Sequence, residues 1–192
     1  LRAPGHASAC AFGEAGAQVM RAVVVIVSDR RSTGEAKDET APRLAALLAP
    51  HGFVLTPTVI VPDERDAIAA ALRDASTQAE LVVTSGGTGI GPRDVTPEAT
   101  RAVLDREIPG FGEAMRAASR AKTPFADLSR ATAGTRGAAL IVNLPGSPKG
   151  AEECLRAVLP AVVHGLKSLA GAVKDCQVEL ARELRDPPSG RE

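Results

Sequence analysis

The stretch from Leu81 to Thr100, LVVTSGGTGIGPRDVTPEAT, constrains the fold of this chain more than any other. It opens with a short apolar, β-branched run that is typical of a buried strand. Four glycines follow within six residues, and glycine lets the backbone adopt positive φ and lets another group approach the amides closely. The stretch then reaches Thr96-Pro97-Glu98, which predicts a helix start with Thr as N-cap and Pro at the first helical position. Strand, glycine loop and helix start in this order predict an anion held near backbone N–H groups, with a carboxylate beside it.

Apolar strands alternate with amphipathic helices along the rest of the chain. Arg21 to Val27 contains the continuous run VVVIV, which favours a parallel strand buried on both faces. Pro57 indicates that the second strand is irregular or lies at an edge, and Pro160 predicts a break or kink in the last helix. The predicted strands are 21–27, 53–61, 81–84, 131–135 and 139–142, and helices are predicted at 38–49, from 63, at 97–105, at 111–121 and at 148–170. This alternation predicts an α/β fold, a three-layer sandwich with a mostly parallel central sheet.

Three distinctive loops begin where a predicted strand ends. They start at Ser28, Ser85 and Leu144, and the first is expected to be a polar loop through Lys37. Ligands of open α/β sheets bind outside the carboxyl ends of the strands. The order of elements therefore predicts that these three loops share one rim of the sheet and form the binding site.

The glycine loop has two interpretations. Its amides, with the hydroxyls of Ser85 and Thr88, suit a phosphate, but a tight turn between strand and helix would need the same glycines. The loop is not a P-loop, because no Gly-Lys-Ser/Thr follows the glycines, and it is not the GxGxxG dinucleotide-binding fingerprint that is followed by an acid some 20 residues later.

The carboxylates near these loops also allow structural interpretations. Asp63 follows the second strand and would suit an N-cap, while Asp94 would suit a pair with Arg93 or a helix cap. Asp29, after the first strand, would pair with Arg30 or Arg31. From the residues alone, these alternatives stay open beside a role in the chemistry.

Composition excludes several classes of function. The chain has 192 residues, enough for one domain with a sizeable core, and its 23 basic and 23 acidic side chains cancel. Neutral charge and a lack of Trp and Tyr argue against nucleic-acid binding, and no apolar stretch reaches membrane-spanning length. Three distant cysteines and three scattered histidines argue against a zinc site or a disulfide framework, and reduced thiols fit a cytoplasmic protein.

The chain divides into three predicted segments. Residues 1–19 are rich in small residues and lack a continuous apolar core for a secretory signal, so we expect a disordered extension. Residues 20–171 form the expected folded domain. Residues 172–192 become charged and reach Pro187-Pro188-Ser189-Gly190, which predicts a C-terminal tail.

Four segments in order resemble one family. SGGTGIGPRDVTPEAT resembles the signature of the molybdopterin adenylyltransferases of the MogA/MoaB type, which are related to the pterin-binding domain of gephyrin and its plant counterpart. Further resemblance lies at Val27-Ser28-Asp29-Arg30, at 108–115 (IPGFGEAM) and at 143–149 (NLPGSPK). The resemblance covers roughly Met20 to Gly171, and it implies the MogA/MoaB-like sandwich.

The resemblance implies a reaction in molybdenum cofactor biosynthesis. Molybdopterin and ATP would give adenylyl-molybdopterin and pyrophosphate, with the terminal phosphate of the pterin attacking the α-phosphorus. The matching aspartates, Asp63 and Asp94, would be the catalytic residues. Two carboxylates at about 4 Å repel by about 4 kcal/mol at an effective dielectric near 20, so beside a triphosphate they call for a cation. Oxygen ligands without His or Cys point to Mg²⁺.

The resemblance further implies the substrate contacts and the partners. A homotrimer and a separate molybdenum-insertion partner of the MoeA type would be expected. Lys149 and Arg130 are further sources of positive charge. The alternatives are a non-catalytic carrier that delivers the pterin to a partner and an unrelated α/β nucleotide-binding protein. The expected substrate- and nucleotide-binding residues are Ser28, Asp29, Ser85, Gly86, Gly87, Thr88, Gly89, Pro145, Gly146 and Ser147.

Overall fold

A seven-stranded sheet forms the centre of the protein in this computed structural model, which describes residues 19–172. The predicted extension and tail lie, apart from Val19 and Ala172, outside the described residues and stay predictions. The strands are β1 (Met20–Val27), β2 (Phe53–Leu55), β3 (Val59–Val61), β4 (Leu81–Ser85), β5 (Arg106–Glu107), β6 (Ala133–Arg136) and β7 (Ala139–Leu144). The helices are α1 (Asp29–Ser32), α2 (Thr40–Leu48), α3 (Arg65–Gln78), α4 (Thr96–Arg101), α5 (Pro109–Arg120) and α6 (Pro148–Leu169).

The sheet is mostly parallel, as predicted. The strand order is β2-β1-β4-β7-β6-β5, and β3 also pairs with β1. The strands β2, β3 and β4 run parallel to β1, and β7 runs parallel to β4, whereas β6 is antiparallel to both β7 and β5. The carboxyl ends of all the strands in this sheet except β6 therefore point in one direction.

The predicted second strand is two short strands separated by Thr56-Pro57-Thr58. Strand β2 pairs with residues 20–22 of β1, and β3 pairs with residues 25–27 of the same strand. Pro57 has no N–H to donate to a ladder, so the edge of the sheet is interrupted where it lies. The expectation of an irregular edge strand is confirmed.

Helices cover both faces of the sheet. Val24 and Ile26 pack with α2, α5 and α6, whereas Val23 and Val25 pack with α3 and α4. Because successive side chains of a strand point to opposite faces, the continuous run in β1 supplies both cores at once. The three-layer sandwich is confirmed.

Three local predictions differ from the structure. The expected polar loop after β1 contains the four-residue helix α1, and the two-residue strand β5 has no predicted counterpart. The predicted break at Pro160 is absent, because the long helix α6 packs along its apolar stripe and this outweighs the backbone hydrogen bond that proline cannot donate, while the predicted kink stays a prediction. Among residues 19–172, no helix combines the length and apolar character that spanning a membrane requires.

Candidate active site

Loops from four parallel strands meet at one rim of the sheet. Val27 at the end of β1 is in register with Val61 at the end of β3, and Ser85 of β4 is in register with Leu144 of β7. The chain leaves these strands at the loops of Ser28, Asp63, the glycines and Pro145. The predicted juxtaposition of loops is therefore present, with the Asp63 loop as a fourth member.

Asp29 and Asp63 are joined by two reciprocal hydrogen bonds. The Asp29 amide donates to Asp63 Oδ2, and the Asp63 amide donates to Asp29 Oδ1, each at 2.9 Å. The N-cap of α3 is Glu64, and it makes no side-chain capping bond. The structural alternative for Asp63, a helix cap, is therefore wrong, because a partner from another loop occupies its carboxylate.

Arg93 links the glycine loop to the loop after β1. Its Nη2 donates to both carboxylate oxygens of Asp29 at 2.9 Å, and its Nε donates to Oδ2 at 3.2 Å. Asp29 thus pairs with Arg93 rather than with Arg30 or Arg31, and Arg93 does not pair with Asp94. The side chains of Arg93 and Asp29 are 58% and 47% exposed, so the pair contributes little stability and chiefly fixes the geometry of the rim.

The first two glycines of the loop have no room for side chains. Gly86 and Gly87 have φ of +117° and +62°. A Cβ on Gly86 would lie 2.1 Å from the Val27 carbonyl oxygen, and one on Gly87 would lie 2.4 Å from Thr96 Oγ1 and 3.3 Å from Asp63 Oδ1. The backbone of Gly87 therefore lies directly beside the Asp63 carboxylate, and only glycine allows that approach.

Thr96 holds this turn instead of capping a helix. Its hydroxyl donates to the Gly86 carbonyl at 2.9 Å, and its amide donates to the Gly87 carbonyl at 3.0 Å. The N-cap of α4 is Val95, without a side-chain capping bond. The predicted N-cap is wrong because the buried Thr96 hydroxyl satisfies a carbonyl of the glycine loop.

The second half of the glycine loop surrounds Asp94. The Gly91 amide donates to Asp94 Oδ2 at 2.7 Å. A Cβ on Gly89 or Gly91 would lie 2.8 or 2.9 Å from the same oxygen. These two glycines therefore let the loop close around the carboxylate, and Asp94 is not a helix cap.

The aspartates differ in acidity. Burial, with repulsion from Asp29 and Asp94, raises the pKa of Asp63 above its ordinary value of 3.8, although the Asp29 amide and Arg93 oppose the shift. The Asp63 amide and the Arg93 guanidinium lower the pKa of Asp29. The ionised form of Asp29 is therefore stabilised, whereas the ionised form of Asp63 is destabilised. A bound cation would relieve that destabilisation.

The donor set of the rim fits a hard divalent cation. Among residues 19–172, no group of three or more His, Cys, Asp or Glu side chains is placed to hold a metal. Within the same residues, Asp63 Oδ1 and Asp94 Oδ1 have no hydrogen-bond donor, and each carboxylate uses its other oxygen for one amide. Mg²⁺ commonly takes one or two carboxylates and completes its shell with substrate phosphates and water.

The loop after β7 packs against the glycine loop. The Ser85 hydroxyl, fully buried, donates to the Pro145 carbonyl at 2.9 Å, and a Cβ on Gly146 would lie 3.4 Å from the Gly86 Cα. Ser147 is the N-cap of α6 and accepts the Gly150 amide at 3.1 Å, as predicted. Ser85 is therefore committed to the loop–loop contact, and Ser147 serves the helix.

The remaining predicted contacts lie on the same rim. Ser28 caps α1 by accepting the Arg31 amide at 3.3 Å. Thr88 is 5% exposed, and its carbonyl accepts the Arg130 amide at 2.9 Å. The carbonyl of Gly89 accepts Arg130 Nε. The structure thus brings every predicted site residue to one rim, and their contacts with substrate stay predictions.

A buried amide supports the rim from below and has no counterpart in the sequence prediction. Asn143 Nδ2 donates to Thr84 Oγ1 at 3.1 Å and to Thr100 Oγ1 at 2.9 Å. All three residues are fully buried, so these bonds tie β7, β4 and α4 together behind the glycine loop. The sequence signal that could have indicated this role is a polar residue, Asn143, in an otherwise apolar strand next to a site loop.

Comparison with known proteins agrees with this geometry. A family described as "Probable molybdopterin binding domain" matches residues 23–164, a range that includes every loop of the rim. The molybdopterin adenylyltransferase of Helicobacter pylori strain J99 is 42% identical over 160 residues, which cover 80% of this chain and 90% of that protein. The molybdopterin adenylyltransferase of Escherichia coli K12 is 44% identical over 157 residues, covering 77% of this chain and 80% of that protein.

A comparison with solved structures also finds a molybdopterin biosynthesis enzyme. The crystal structure of the molybdopterin biosynthesis enzyme MoaB from Thermus thermophilus aligns with a TM-score of 0.75 at 47% identity, covering 79% of this chain and 97% of that chain. With matching sequence and fold over the strands and loops of the rim, the chain belongs to the molybdopterin adenylyltransferase family.

Proposed function

We propose that this protein transfers AMP from ATP to the terminal phosphate of molybdopterin, in molybdenum cofactor biosynthesis, and that the rim described above is where the transfer occurs. A phosphate oxygen of the pterin bonds to the α-phosphorus of ATP, and the bond from that phosphorus to the departing pyrophosphate breaks. The single observation that carries the assignment is the approach of the Gly87 backbone to the Asp63 carboxylate, in a chain whose relatives are molybdopterin adenylyltransferases.

The chemistry demands alignment more than proton transfer. The attacking phosphate is already an anion at neutral pH, so the reaction needs no side-chain nucleophile. The described rim supplies backbone amides, three carboxylates and an arginine, and these groups suit orientation and charge neutralisation. The amides of Gly87 and Gly89 are the proposed phosphate contacts on one side of the site. The Gly86 amide already donates to the Leu144 carbonyl at 3.2 Å, so Gly86 contributes through the close approach of its backbone.

Mg²⁺ is the proposed cofactor, held by Asp63 and Asp94. Each residue keeps one carboxylate oxygen without a protein donor among residues 19–172, and the amides of Asp29 and Gly91 orient the other. A bound Mg²⁺ would neutralise the negative charge of the triphosphate and of the leaving pyrophosphate. These two residues are the proposed catalytic pair.

The remaining predicted contacts keep their places in the proposal with adjusted roles. Pro145 and Gly146 offer backbone, Ser147 offers its amide beside the start of α6, and Ser28 offers a half-buried hydroxyl. Ser85 and Thr88 support the glycine loop, since both are buried. Asp29 orients Asp63 and Arg93.

We also propose the biological setting. A homotrimer in the cytoplasm that passes its product to a molybdenum-insertion partner of the MoeA type is consistent with the family. The non-catalytic carrier is disfavoured, because both aspartates lie at the glycine loop and the named relatives are transferases.

The decisive experiment combines the protein with molybdopterin, ATP and MgCl₂ and follows pyrophosphate release together with the adenylylated pterin. We expect both products in equal amounts, and neither when pterin or Mg²⁺ is omitted. Binding of molybdopterin without pyrophosphate release would instead establish the carrier.

A further inference from the structure

We infer that Arg130 is a positioning residue for this reaction, acting on substrate only through the shape it gives the glycine loop. Its guanidinium reaches three acceptors in the loop region: Nε donates to the Gly89 carbonyl at 2.6 Å, Nη2 donates to the Asp94 carbonyl, and Nη1 pairs with Glu98. The Arg130 amide also donates to the Thr88 carbonyl. The sequence suggested Arg130 only as a source of positive charge.

The two carbonyls that Arg130 contacts lie at opposite ends of the segment 89–94. This segment is neither helix nor strand, and it is the part of the loop that closes around the Asp94 carboxylate. A single guanidinium therefore bridges both ends of the loop that presents a proposed magnesium ligand. Without this bridge, the Gly91–Asp94 turn would retain its own hydrogen bond but lose its fixed position on the rim.

The guanidinium is suited to this task by its shape. It is planar and carries five N–H donors in a rigid fork, whereas the lysine ammonium is a compact charge on a flexible stem. Although burial opposes the shift, the hydrogen bond from Arg130 contributes to a lowered pKa of Glu98, so the pair is ionised. Glu98 in α4 thereby holds Nη1 of Arg130, while Nε and Nη2 donate to carbonyls of the loop.

The position of Arg130 in the chain supports the same conclusion. The side chain is 35% exposed and comes from the segment that leads into β6, outside the four rim loops. Each of its three guanidinium nitrogens donates to a protein acceptor. Its influence on transfer is therefore indirect, through the placement of Asp94 and the loop amides.

The inference rests on the proposed function, and it is tested with Arg130→Ala, Arg130→Lys and the matched control Arg136→Ala. Arg136 also donates to a backbone carbonyl, that of Val103, at 2.9 Å, and it lies at the far end of β6. We expect Arg130→Ala to lower kcat roughly 10- to 100-fold, because misplacing catalytic groups by ~1 Å can reduce the rate by up to about 100-fold. The KM for molybdopterin should change less than about 3-fold. Arg136→Ala should leave kcat within about 2-fold.

Two further measurements separate positioning from loss of fold. Millimolar guanidinium should raise the kcat of Arg130→Ala several-fold, and Arg130→Lys should remain impaired although it keeps the charge. Amide hydrogen exchange at residues 89–94 should be faster by roughly 10-fold or more in Arg130→Ala and unchanged in Arg136→Ala. Global melting, measured alongside, identifies a variant that has simply unfolded.

The outcomes distinguish this inference from the proposed function. If the wild-type protein lacks transferase activity, the proposed function fails, and hydrogen exchange still decides whether Arg130 fixes the loop. Unchanged exchange at residues 89–94, in a folded Arg130→Ala, would overturn the inference. Full activity of Arg130→Lys, or equal losses in the Arg130 and Arg136 alanine variants, would overturn it as well.

Discussion

Asp29 and Asp63 each accept a hydrogen bond from the other's backbone amide, so the loops after β1 and β3 are joined by a two-fold clasp of 2.9 Å bonds. The clasp uses one oxygen of Asp63 and leaves Oδ1 facing Gly87. Arg93 completes the arrangement by holding the outer side of Asp29. We therefore propose that Asp29 supports Asp63, and its contact with substrate stays a prediction.

Replacing Asp29 tests this support. Asp29→Ala removes the acceptor of the Asp63 amide and of Arg93, so we expect turnover to fall roughly 10-fold or more through misplacement of Asp63. Asp29→Asn keeps one carbonyl oxygen for the amide and should lose less. The measurement is the rate of pyrophosphate release at saturating ATP and pterin. An asparagine variant impaired as severely as the alanine variant would instead indicate a direct role for the Asp29 charge.

The proposed catalytic pair is tested with Asp63→Asn and Asp94→Asn. Both changes keep side-chain size, but each weakens the hold on Mg²⁺. If the lost electrostatic contact contributes ~3–4 kcal/mol in the transition state, the rate falls roughly 100- to 1000-fold. Molybdopterin binding, measured by fluorescence or calorimetry, should persist. Asp66→Asn, an exposed acid in the first turn of α3, is the matched control and should be near wild type, whereas normal turnover in both site variants would remove them from the mechanism.

The acid limb of the activity profile should report Asp63. Because burial and acidic neighbours raise the pKa of Asp63, this residue becomes protonated at a higher pH than an ordinary aspartate. As the pH falls through that range, the protein should lose affinity for Mg²⁺. Asp94→Asn removes one source of repulsion, so the pKa of Asp63 should decrease. Carbon-detected NMR titration of the Asp63 carboxyl in both proteins checks this sign, and an upward or absent shift would argue against electrostatic contact between the two residues.

The same shifts predict opposite effects on stability. Asp29 has a lowered pKa in the folded state, so its contribution is present above the unfolded pKa and is lost as pH falls through the folded value. Asp63 has a raised pKa, so its contribution is present at low pH and is lost as pH rises through its folded value. Urea unfolding across the acidic range should therefore show that Asp29→Asn loses relative stability with rising pH and Asp63→Asn gains it.

Gly87 and Gly137 form a matched pair for testing the loop. Both have positive φ, but a Cβ on Gly87 would clash with Thr96, whereas one on Gly137 would meet nothing within 4 Å. Gly137→Ala should cost only backbone strain, on the order of 1–3 kcal/mol, and leave ligand binding intact. Gly87→Ala should cost at least as much and also weaken ATP or pterin binding. Equal ligand affinities in the two variants would show that the glycine loop is merely a turn.

Asn143 should be important for stability rather than for chemistry. Asn143→Leu leaves the hydroxyls of Thr84 and Thr100 buried without their donor, which should cost about 1–3 kcal/mol of unfolding free energy. Thr100→Val removes one acceptor and should cost less. Urea midpoints of both variants provide the comparison, and an unchanged midpoint for Asn143→Leu would mean that the amide is dispensable.

Sequence predicts the frame of this protein well because its signals are local. The VVVIV run of β1, the glycines after β4 and Ser147 before α6 each specify structure through near neighbours. Once the strands are known to be parallel, their carboxyl ends must share a rim, and the site follows. Helix α1, with four residues, and strand β5, with two, are too short to show a periodicity.

The unpredicted contacts join distant parts of the chain. Arg93 and Asp29 are 64 residues apart, and Arg130 and Gly89 are 41 apart, so no spacing in the sequence couples them. Asp63 precedes a helix and satisfies the local rule for an N-cap, but the amide of Asp29 competes successfully for its carboxylate. Local rules leave such choices open, and tertiary contacts decide them.

The interruption between β2 and β3 also bears on how readily this edge of the sheet could pair with another chain. The edge exposes apolar side chains, with Val54, Val59 and Ile60 accessible at 54%, 37% and 42%. A continuous nine-residue strand of this kind, spanning 53–61, would offer another chain a template for strand addition. Pro57 divides that template into two three-residue segments and withholds a donor between them, so the edge is a poor seed for intermolecular sheets. Replacing Pro57 should therefore lower the solubility of the protein during folding before it affects the folded structure.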